Sequence, residues 1–303
     1  MKPIILPPRL TRVVSHFKRY DIEVPKELLN ARAIRPDLRS FPYPLPQRKS
    51  DYTCFVQGKG HVMWYGGSGG VTRYNPSADC LEDTVMYFSA DRDLLDNNVK
   101  TLLADGDGVW VLTEKGVTHI DMKLISGEEK AKMLTEETLK YVSRHNMVSQ
   151  RDLSRPRDIK SRVPFGHSDN DGGFTACFAI GEIFKYAALK KENGLLDPET
   201  QKARKSAFDS SEATLLLMYL PGRGDGYVAR TYVTSAEPVP DDGLFFKKNG
   251  QKAVCINTTA ARRRGMVGIE VKADGHIPDR LAKHYRDEGF SDTDITYKGD
   301  TSS

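Results

Sequence analysis

Two stretches of this chain carry the same pattern of tryptophan, glycine and β-branched residues, 46 positions apart. They read "GHVMWYGGSGGVTRYNP" over residues 60–76 and "GDGVWVLTEKGVTHIDM" over residues 106–122, so that Trp64 aligns with Trp110. Each copy predicts a strand, a glycine turn and a second strand with alternating polarity. The chain is therefore expected to contain a repeated β-hairpin module, with Trp64 and Trp110 as core residues.

The second copy, extended to "LLDNNVKTLLADGDGVWVLTEKGVTHID", resembles the repeat of two-component-regulator-type β-propellers. The positions that match that repeat are Asn98, Val99, Leu102, Asp105, Gly108, Trp110, Thr113 and Gly116. The resemblance covers residues 51–122 and implies short antiparallel, propeller-like β modules. Two copies do not close a ring of blades. We therefore expect the open strand edges to pair with the N-terminal arm, with the C-terminal region or with another chain.

Residues 1–50 are rich in proline, arginine and lysine, with stretches such as "ILPPRL" and "RPDLRSFPYPLPQRKS". Proline at this density blocks helix interiors and central strands. The sequence predicts an extended arm with one short helix at "PKELLNARAI".

Charge and apolar content exclude several function classes. The chain has 45 basic and 41 acidic residues, a formal net charge of +4, and no obviously basic face, so no nucleic-acid partner is expected. There is no run of about 18 apolar residues and no signal-peptide core, which predicts no membrane partner and a cytoplasmic location. The four cysteines are widely spaced, so neither a disulfide framework nor a metal site is expected, and no cofactor is implied.

After residue 125 the pattern becomes helical. "SGEEKAKMLTEETLKYVSRHN" begins with a Ser126 cap and acidic residues, which predicts a helix. Two longer helices are predicted over residues 173–189 and 197–220, the second with Pro198 near its start. The last section predicts a hairpin in "FFKKNGQKAV", with an Asn249-Gly250 turn, and a short helix in "PDRLAKHYRDEGF".

Polar residues with acid, base and hydrogen-bonding capacity gather at the start of the first long helix. His167, Asp169, Asn170 and Asp171 stand directly before Gly172 and Gly173. One carboxylate is enough to cap a helix and complement its dipole, so a histidine and a second aspartate remain to be explained. The glycines are poor helix formers that let a ligand or another backbone approach closely. Either an elaborate cap or the rim of an active site fits this pattern.

The order of elements over residues 126–235 resembles one helical hairpin of an (α/α)-toroid, the barrel of several glycoside hydrolases and polysaccharide lyases. About four helices are countable after residue 125, whereas a full toroid has around twelve. The resemblance implies a carbohydrate-active enzyme that acts on acidic oligosaccharides at a cleft at the start of the 173–189 helix. The catalytic candidates are His167, Asp169 and Asp171. The substrate-binding candidates are Asn170, Arg223, Tyr227, Arg230 and Tyr232.

Paired carboxylates suit glycoside hydrolysis, because one must be protonated and the other ionised. A histidine and tyrosine beside an arginine that neutralises a uronate suit β-elimination instead, and both reactions stay open. The alternative function is a non-catalytic, propeller-derived sensor or protein-interaction module. The sequence predicts an α+β fold with an extended arm over residues 1–50, propeller-like repeats over 51–125 and a helical, toroid-like domain with a β-hairpin insertion over 126–303.

Overall fold

The computed structural model describes residues 8–17, 23–37, 51–90, 92–149, 153–154, 158, 160 and 170–299. These residues divide between two compact units. Unit 1 falls within Met1–Thr135 and Leu153–Ser161, and unit 2 within Glu136–Asp152 and Arg162–Ser303. Over the described residues the fold is α+β, with seven α-helices and small antiparallel sheets of which none is closed. The α+β class is confirmed, while propeller and toroid architecture stay predictions.

Unit 1 is built on two four-stranded antiparallel sheets. Its elements in chain order are β1 (Arg9–Phe17), α1 (Lys26–Asn30), β2 (Tyr52–Gln57), β3 (Met63–Gly67), β4 (Gly70–Tyr74), α2 (Leu81–Thr84), β5 (Val85–Phe88), β6 (Val99–Asp105), β7 (Gly108–Thr113) and β8 (Gly116–Ile125). The sheets have the strand orders β2-β3-β4-β5 and β1-β8-β7-β6. Helix α3 (Gly127–Glu137) follows β8 and begins with a capping box, in which Ser126 and Glu129 bond each other's backbone N–H groups.

The predicted hairpin repeat is confirmed by the strand register. Trp64 lies opposite Arg73 in the β3–β4 hairpin, and Trp110 lies opposite His119 in the β7–β8 hairpin. Both pairs are separated along the chain by the same 46 residues that relate the two sequence copies. The repeat in sequence is therefore a repeat in three dimensions.

The two tryptophans nevertheless have different surroundings. Trp64 is fully buried in the core, with its ring 5.6 Å from that of Phe88. Trp110 is only half-buried; its ring stacks on Phe17 at 5.6 Å and on His119 at 4.2 Å. The core role predicted for Trp110 is wrong, because its ring is covered by β1 and a neighbouring histidine rather than by the central cluster.

The N-terminal arm covers one open edge of the module. β1 pairs with β8 from Arg9 opposite Ile125 to Phe17 opposite Val117. The sequence leaves open three partners for the exposed edges, and the partner of the β8 edge is the N-terminal arm. The core of unit 1 is formed by buried residues of both sheets and their connections, among them Cys54, Trp64, Phe88, Leu94, Leu102, Val109, Val111 and Ile120.

Unit 2 combines a short hairpin, a helical hairpin and a five-stranded antiparallel sheet. Its elements are a π-helical turn (Thr138–Val142), β9 (Ser143–Arg144), β10 (Met147–Val148), α4 (Asp171–Asn193), α5 (Pro198–Tyr219), β11 (Thr231–Val233), β12 (Phe245–Asn249), β13 (Lys252–Cys255), α6 (Thr259–Arg263), β14 (Glu270–Lys272), α7 (Asp279–Arg286), a 3₁₀ turn (Asp292–Asp294) and β15 (Thr296–Lys298). The sheet order is β11-β15-β12-β13-β14.

Local signals predicted five of these elements, namely α4, α5, β12, β13 and α7. Asp197 accepts a hydrogen bond from the Thr200 N–H at 2.9 Å and caps α5. The predicted β12–β13 hairpin is present with a shift of one residue in its turn, because Asn249 pairs with Lys252 and Gly250 takes a positive φ of 62°. The short helix predicted near the end of the chain is α7.

Helix α4 has an inverted distribution of polarity. Its buried residues are Asp171, Thr175, Ala179 and Glu182, of which three are polar. Two of its large apolar side chains are exposed instead: Phe174 is 49% exposed and Phe184 is 71% exposed. Helix α4 therefore packs on unit 2 through a largely polar face, and its apolar face points outward. No helix within the described residues is long and apolar enough to cross a bilayer.

Candidate functional site

The two chain segments predicted to form one site meet where α4 and β11 begin. The Gly172 N–H donates to the Arg230 carbonyl oxygen at 3.3 Å, and the Thr231 hydroxyl donates to Asp171 at 2.5 Å. A Cβ at Gly172 would lie 3.3 Å from the Leu217 side chain, so glycine at this position lets α4 lie close to α5. The start of α4 and the residues after the glycine loop are thus held together by direct hydrogen bonds.

Asp171 is completely buried at this junction. One carboxylate oxygen accepts hydrogen bonds from the hydroxyls of Ser149 (2.6 Å) and Thr231 (2.5 Å) and lies 3.5 Å from the Arg144 guanidinium. The other oxygen has no hydrogen-bond partner within the described part of the chain. Burial raises the pKa of Asp171 above its ordinary value, although the three donors oppose the shift. As placed, this carboxyl group braces the interior and does not face solvent.

The helix cap itself is Asn170, which is exposed and whose side chain makes no capping hydrogen bond. The sequence leaves open which residue of this group caps the helix; Asp171 is the first residue of α4 and turns its carboxylate inward. His167 and Asp169 lie outside the described residues.

Arg144 is the centre of the buried polar cluster. One terminal nitrogen donates to both oxygens of Glu237, at 3.1 and 3.0 Å. The other donates to the Thr231 hydroxyl at 2.8 Å and to the Tyr232 carbonyl at 2.6 Å. Burial acts to raise the pKa of Glu237, but the hydrogen bond from His145 and the charge of Arg144 outweigh it and hold that pKa at about 2.

His145 and Asn146 form the two-residue turn between β9 and β10, with φ values of 49° and 60°. The His145 ring lies 2.8 Å from Glu237 and 2.9 Å from Glu288, and it stacks on Tyr232 with a centroid distance of 5.1 Å. Sequence reasoning missed Arg144, His145 and Glu237. The signal that marks this turn is asparagine in a two-residue connection, since asparagine tolerates the left-handed conformation.

The glycine loop before β11 assembles a second, more accessible cluster. Gly222, Gly224 and Gly226 all have positive φ, and the residues between and after them come together. The Arg223 guanidinium lies 4.4 Å over the ring of Tyr227 and 3.0 Å from the Asp225 carboxylate. The Tyr227 N–H donates to the same carboxylate at 3.1 Å. This backbone hydrogen bond and, more weakly, Arg223 lower the pKa of Asp225.

The other predicted binding residues have different positions. Tyr232 is fully buried, so its ring has no free face on which a sugar could stack. Arg230 is half-buried, and its backbone N–H donates to the Lys298 carbonyl oxygen at 3.0 Å. Arg223 and Tyr227 are also half-buried. They present a cation beside an aromatic ring, which is an arrangement that can bind a carboxylate or sulfate group on a ring-shaped ligand.

The chain matches no protein family, no curated protein and no solved structure with which it was compared. Among the described residues, no group of histidine, cysteine, aspartate and glutamate is arranged to hold a metal ion. The chemistry of the site therefore rests on its own residues.

Proposed function

We propose that unit 2 is the substrate-binding part of a carbohydrate-active enzyme, a glycoside hydrolase or polysaccharide lyase, that acts on acidic oligosaccharides. The observation that carries this proposal is the junction of α4 with β11. The pairs Gly172–Arg230 and Asp171–Thr231 join two segments about 60 residues apart that the resemblance to a toroid assigns to one site. When segments that are distant in sequence meet at the start of a helix, the loops on either side can supply catalytic and binding side chains to one site.

The binding chemistry lies on the glycine loop. The side chain of Arg223 is 23% exposed, and its partner Asp225 is 49% exposed. An ion pair this accessible to water contributes little stability. An anionic sugar can therefore replace Asp225 at small cost and form a charge-assisted, bidentate contact with the guanidinium.

Within this proposal the catalytic roles divide between described and undescribed residues. His167 and Asp169 keep the acid and base roles that the sequence predicts. Asp171 becomes a positioning residue, because its contacts with Ser149, Thr231 and Arg144 fix the start of α4. Hydrolysis would use a carboxylic acid and a carboxylate. Elimination would use a base on the proton beside the uronate carboxyl group.

The burial of Asp171 favours a second candidate, a non-catalytic sensor or interaction module. A carboxylate with no exposed surface, held by two hydroxyls and an arginine, serves packing as well as it serves a site. On this view the cluster only organises the start of α4. Turnover separates the two candidates.

The test is turnover of a panel of acidic and neutral oligosaccharides by the full chain. New reducing ends report hydrolysis, and ultraviolet absorbance of an unsaturated uronate reports elimination. We expect Asp169→Asn to abolish product formation. We expect Arg223→Gln to raise KM for acidic substrates by at least about tenfold, as loss of a charge-assisted hydrogen bond of about 1.5–3 kcal/mol implies.

The matched control is Arg262→Gln, since Arg262 is an exposed arginine of α6 that donates to Asn257. It should leave KM unchanged. Asp171→Asn should lower the free energy of unfolding by about 1–3 kcal/mol. Absence of product and of binding across the whole panel would exclude the enzyme and favour the module. Product formation with an unchanged KM in Arg223→Gln would show that substrate binds elsewhere.

A further inference from the structure

An apolar groove of about 580 Å³ runs along α5 between α4 and α7. Its apolar walls are formed by Ile183 and Tyr186 of α4, Phe208, Leu215 and Tyr219 of α5, and Leu281 of α7. Four of these side chains, Ile183, Phe208, Leu215 and Tyr219, are 44–46% exposed. Large apolar side chains that stay this accessible in one continuous depression mark a binding surface.

The apolar surface extends beyond the groove. On α5 it continues to Met218, which is 52% exposed, and on α4 to Ile180 and Phe184, which are 55% and 71% exposed. From Phe208 to Tyr219 the groove follows α5 for about 16 Å, or roughly three helical turns. A surface of this length on two neighbouring helices fits the apolar face of a third helix better than it fits a small molecule.

One end of the groove is positively charged. Next to Phe208, a second depression of about 320 Å³ is lined by four cations, Arg204, Lys205, Arg280 and Lys283, and by two carboxylates, Asp209 and Glu212. Asp209 is paired with Lys205. Glu212 is 5% exposed and paired with Arg280, with Lys283 at 2.9 Å and with His284 at 3.2 Å. The cations thus outnumber the carboxylates, and both carboxylates already have partners.

We propose that this groove docks an amphipathic α-helix of a partner protein, with carboxylate side chains at its end nearest Phe208. The apolar residues of the docked helix, spaced at i, i+3, i+4 and i+7, would cover Leu215, Tyr219 and Ile183. Its carboxylates would face Arg204, Arg280 and Lys283. Complementary charge selects such a helix over a basic one and sets its direction in the groove.

The test uses two synthetic amphipathic peptides that share their apolar positions and differ only in the flanking charge. One carries glutamates and the other carries lysines at the same positions. Fluorescence anisotropy with the full chain at low salt should show the glutamate peptide binding roughly tenfold more tightly or better, with a preference that shrinks as salt is added.

Two substitutions separate the apolar contribution from the charge contribution. Leu215→Glu should abolish binding of the glutamate peptide, whereas Leu196→Glu, at a 94% exposed leucine between α4 and α5, should not. Arg204→Glu should weaken binding of the glutamate peptide by several-fold and strengthen that of the lysine peptide. Lys191→Glu makes the same charge change at an exposed residue in the last turn of α4 and should have little effect.

Several results would overturn the assignment. Failure of the glutamate peptide to bind, equal binding of the two peptides, or binding that survives Leu215→Glu would each do so. Self-association of the chain that Leu215→Glu disperses and Leu196→Glu does not would identify a second copy as the occupant instead. Thermal unfolding of every variant shows whether it is folded before binding is compared.

Discussion

At the scale of single residues, the guanidinium of Arg144 joins three separate parts of unit 2. It bonds Glu237, the Thr231 hydroxyl and the Tyr232 carbonyl, and it lies beside Asp171 at the start of α4. Removing one member of a buried ion pair leaves the other charge without compensation, which typically costs about 3–5 kcal/mol. The cluster therefore fixes the geometry of the α4–β11 junction.

The pKa of Glu237 leads to a pH-dependent stability. This pKa is lowered from 4.5 to about 2 in the folded chain, so the unfolded chain binds a proton more readily. The stabilisation is fully present above pH 4.5 and is lost as the pH falls toward 2. We expect the free energy of unfolding of unit 2 to fall by about 3 kcal/mol over this interval through Glu237.

Urea unfolding measured from neutral pH down to a pH of about 2 checks this expectation. Glu237→Gln should be less stable than the natural chain at neutral pH and should lose less stability on acidification. Glu270→Gln, at an exposed glutamate of β14 that pairs with Lys252, is the control and should keep the full pH dependence. An unchanged slope in Glu237→Gln would assign the acid sensitivity to other carboxyl groups.

At the scale of elements, two glycines of unit 1 take a positive φ, Gly70 at the start of β4 and Gly106 in the turn between β6 and β7. Gly70 has a φ of +97°, and a Cβ there would lie 2.2 Å from the Phe88 carbonyl oxygen. Gly106 also has a positive φ, of +56°, but a Cβ there would meet nothing within 4 Å. Gly70 is therefore required by both its backbone conformation and the space around it, whereas Gly106 is required by its backbone conformation alone.

Substitution by alanine should reveal this difference. Gly106→Ala is expected to cost about 1 kcal/mol of unfolding free energy, from the left-handed conformation alone. Gly70→Ala adds a backbone clash and should cost about 3 kcal/mol. Chemical denaturation of both variants checks the prediction, and equal costs would show that β4 and β5 adjust freely around residue 70.

The elements that the sequence predicted correctly are those with local signals. The Trp-and-glycine hairpins, helix α5 with Pro198 near its start and the β12–β13 hairpin each depend on residues within a few positions of one another. The pairing of β1 with β8 could be predicted only as one of three options, because the backbone groups of an open strand edge can pair with any extended segment. The inverted polarity of α4 could not be predicted, since Asp171 is buried by hydroxyls and a guanidinium supplied from 22 to 60 positions away.

The candidate site divides in the same way. The meeting of the start of α4 with Arg230 was predictable from the resemblance to a toroid. The buried core of that junction was not, because Arg144 and Glu237 are 93 positions apart and neither stands in a motif. Tyr232 shows why residue type alone misleads. It is the central residue of β11, is fully buried and stacks against the His145 ring.

At the scale of the whole molecule, each unit has a hydrophobic core of its own. Leu102 belongs to the core of unit 1, and Leu217 to the core of unit 2. Units with separate cores are expected to unfold in separate cooperative steps. Each step should respond to substitutions in its own core.

Calorimetry of the full chain should therefore resolve two transitions. Leu102→Ala and Leu217→Ala each create a cavity worth about 2–5 kcal/mol and form a matched pair. Each should lower one transition temperature and leave the other within about a degree of its value, given a shift of several degrees for the affected unit. A single transition lowered by both substitutions would show that the units unfold together.

The contacts of His145 also set an order of events during synthesis. His145 finds Glu288 only 143 residues later along the chain, and translation at about 5–20 residues per second takes roughly 7–30 s to cover that distance. The last strand of unit 1 ends at Ile125, so its sheets can form on the ribosome while unit 2 is still being made. During that interval α4 has emerged with neither its polar nor its apolar side covered. A nascent helix in that state is a natural substrate for chaperones that bind exposed apolar segments.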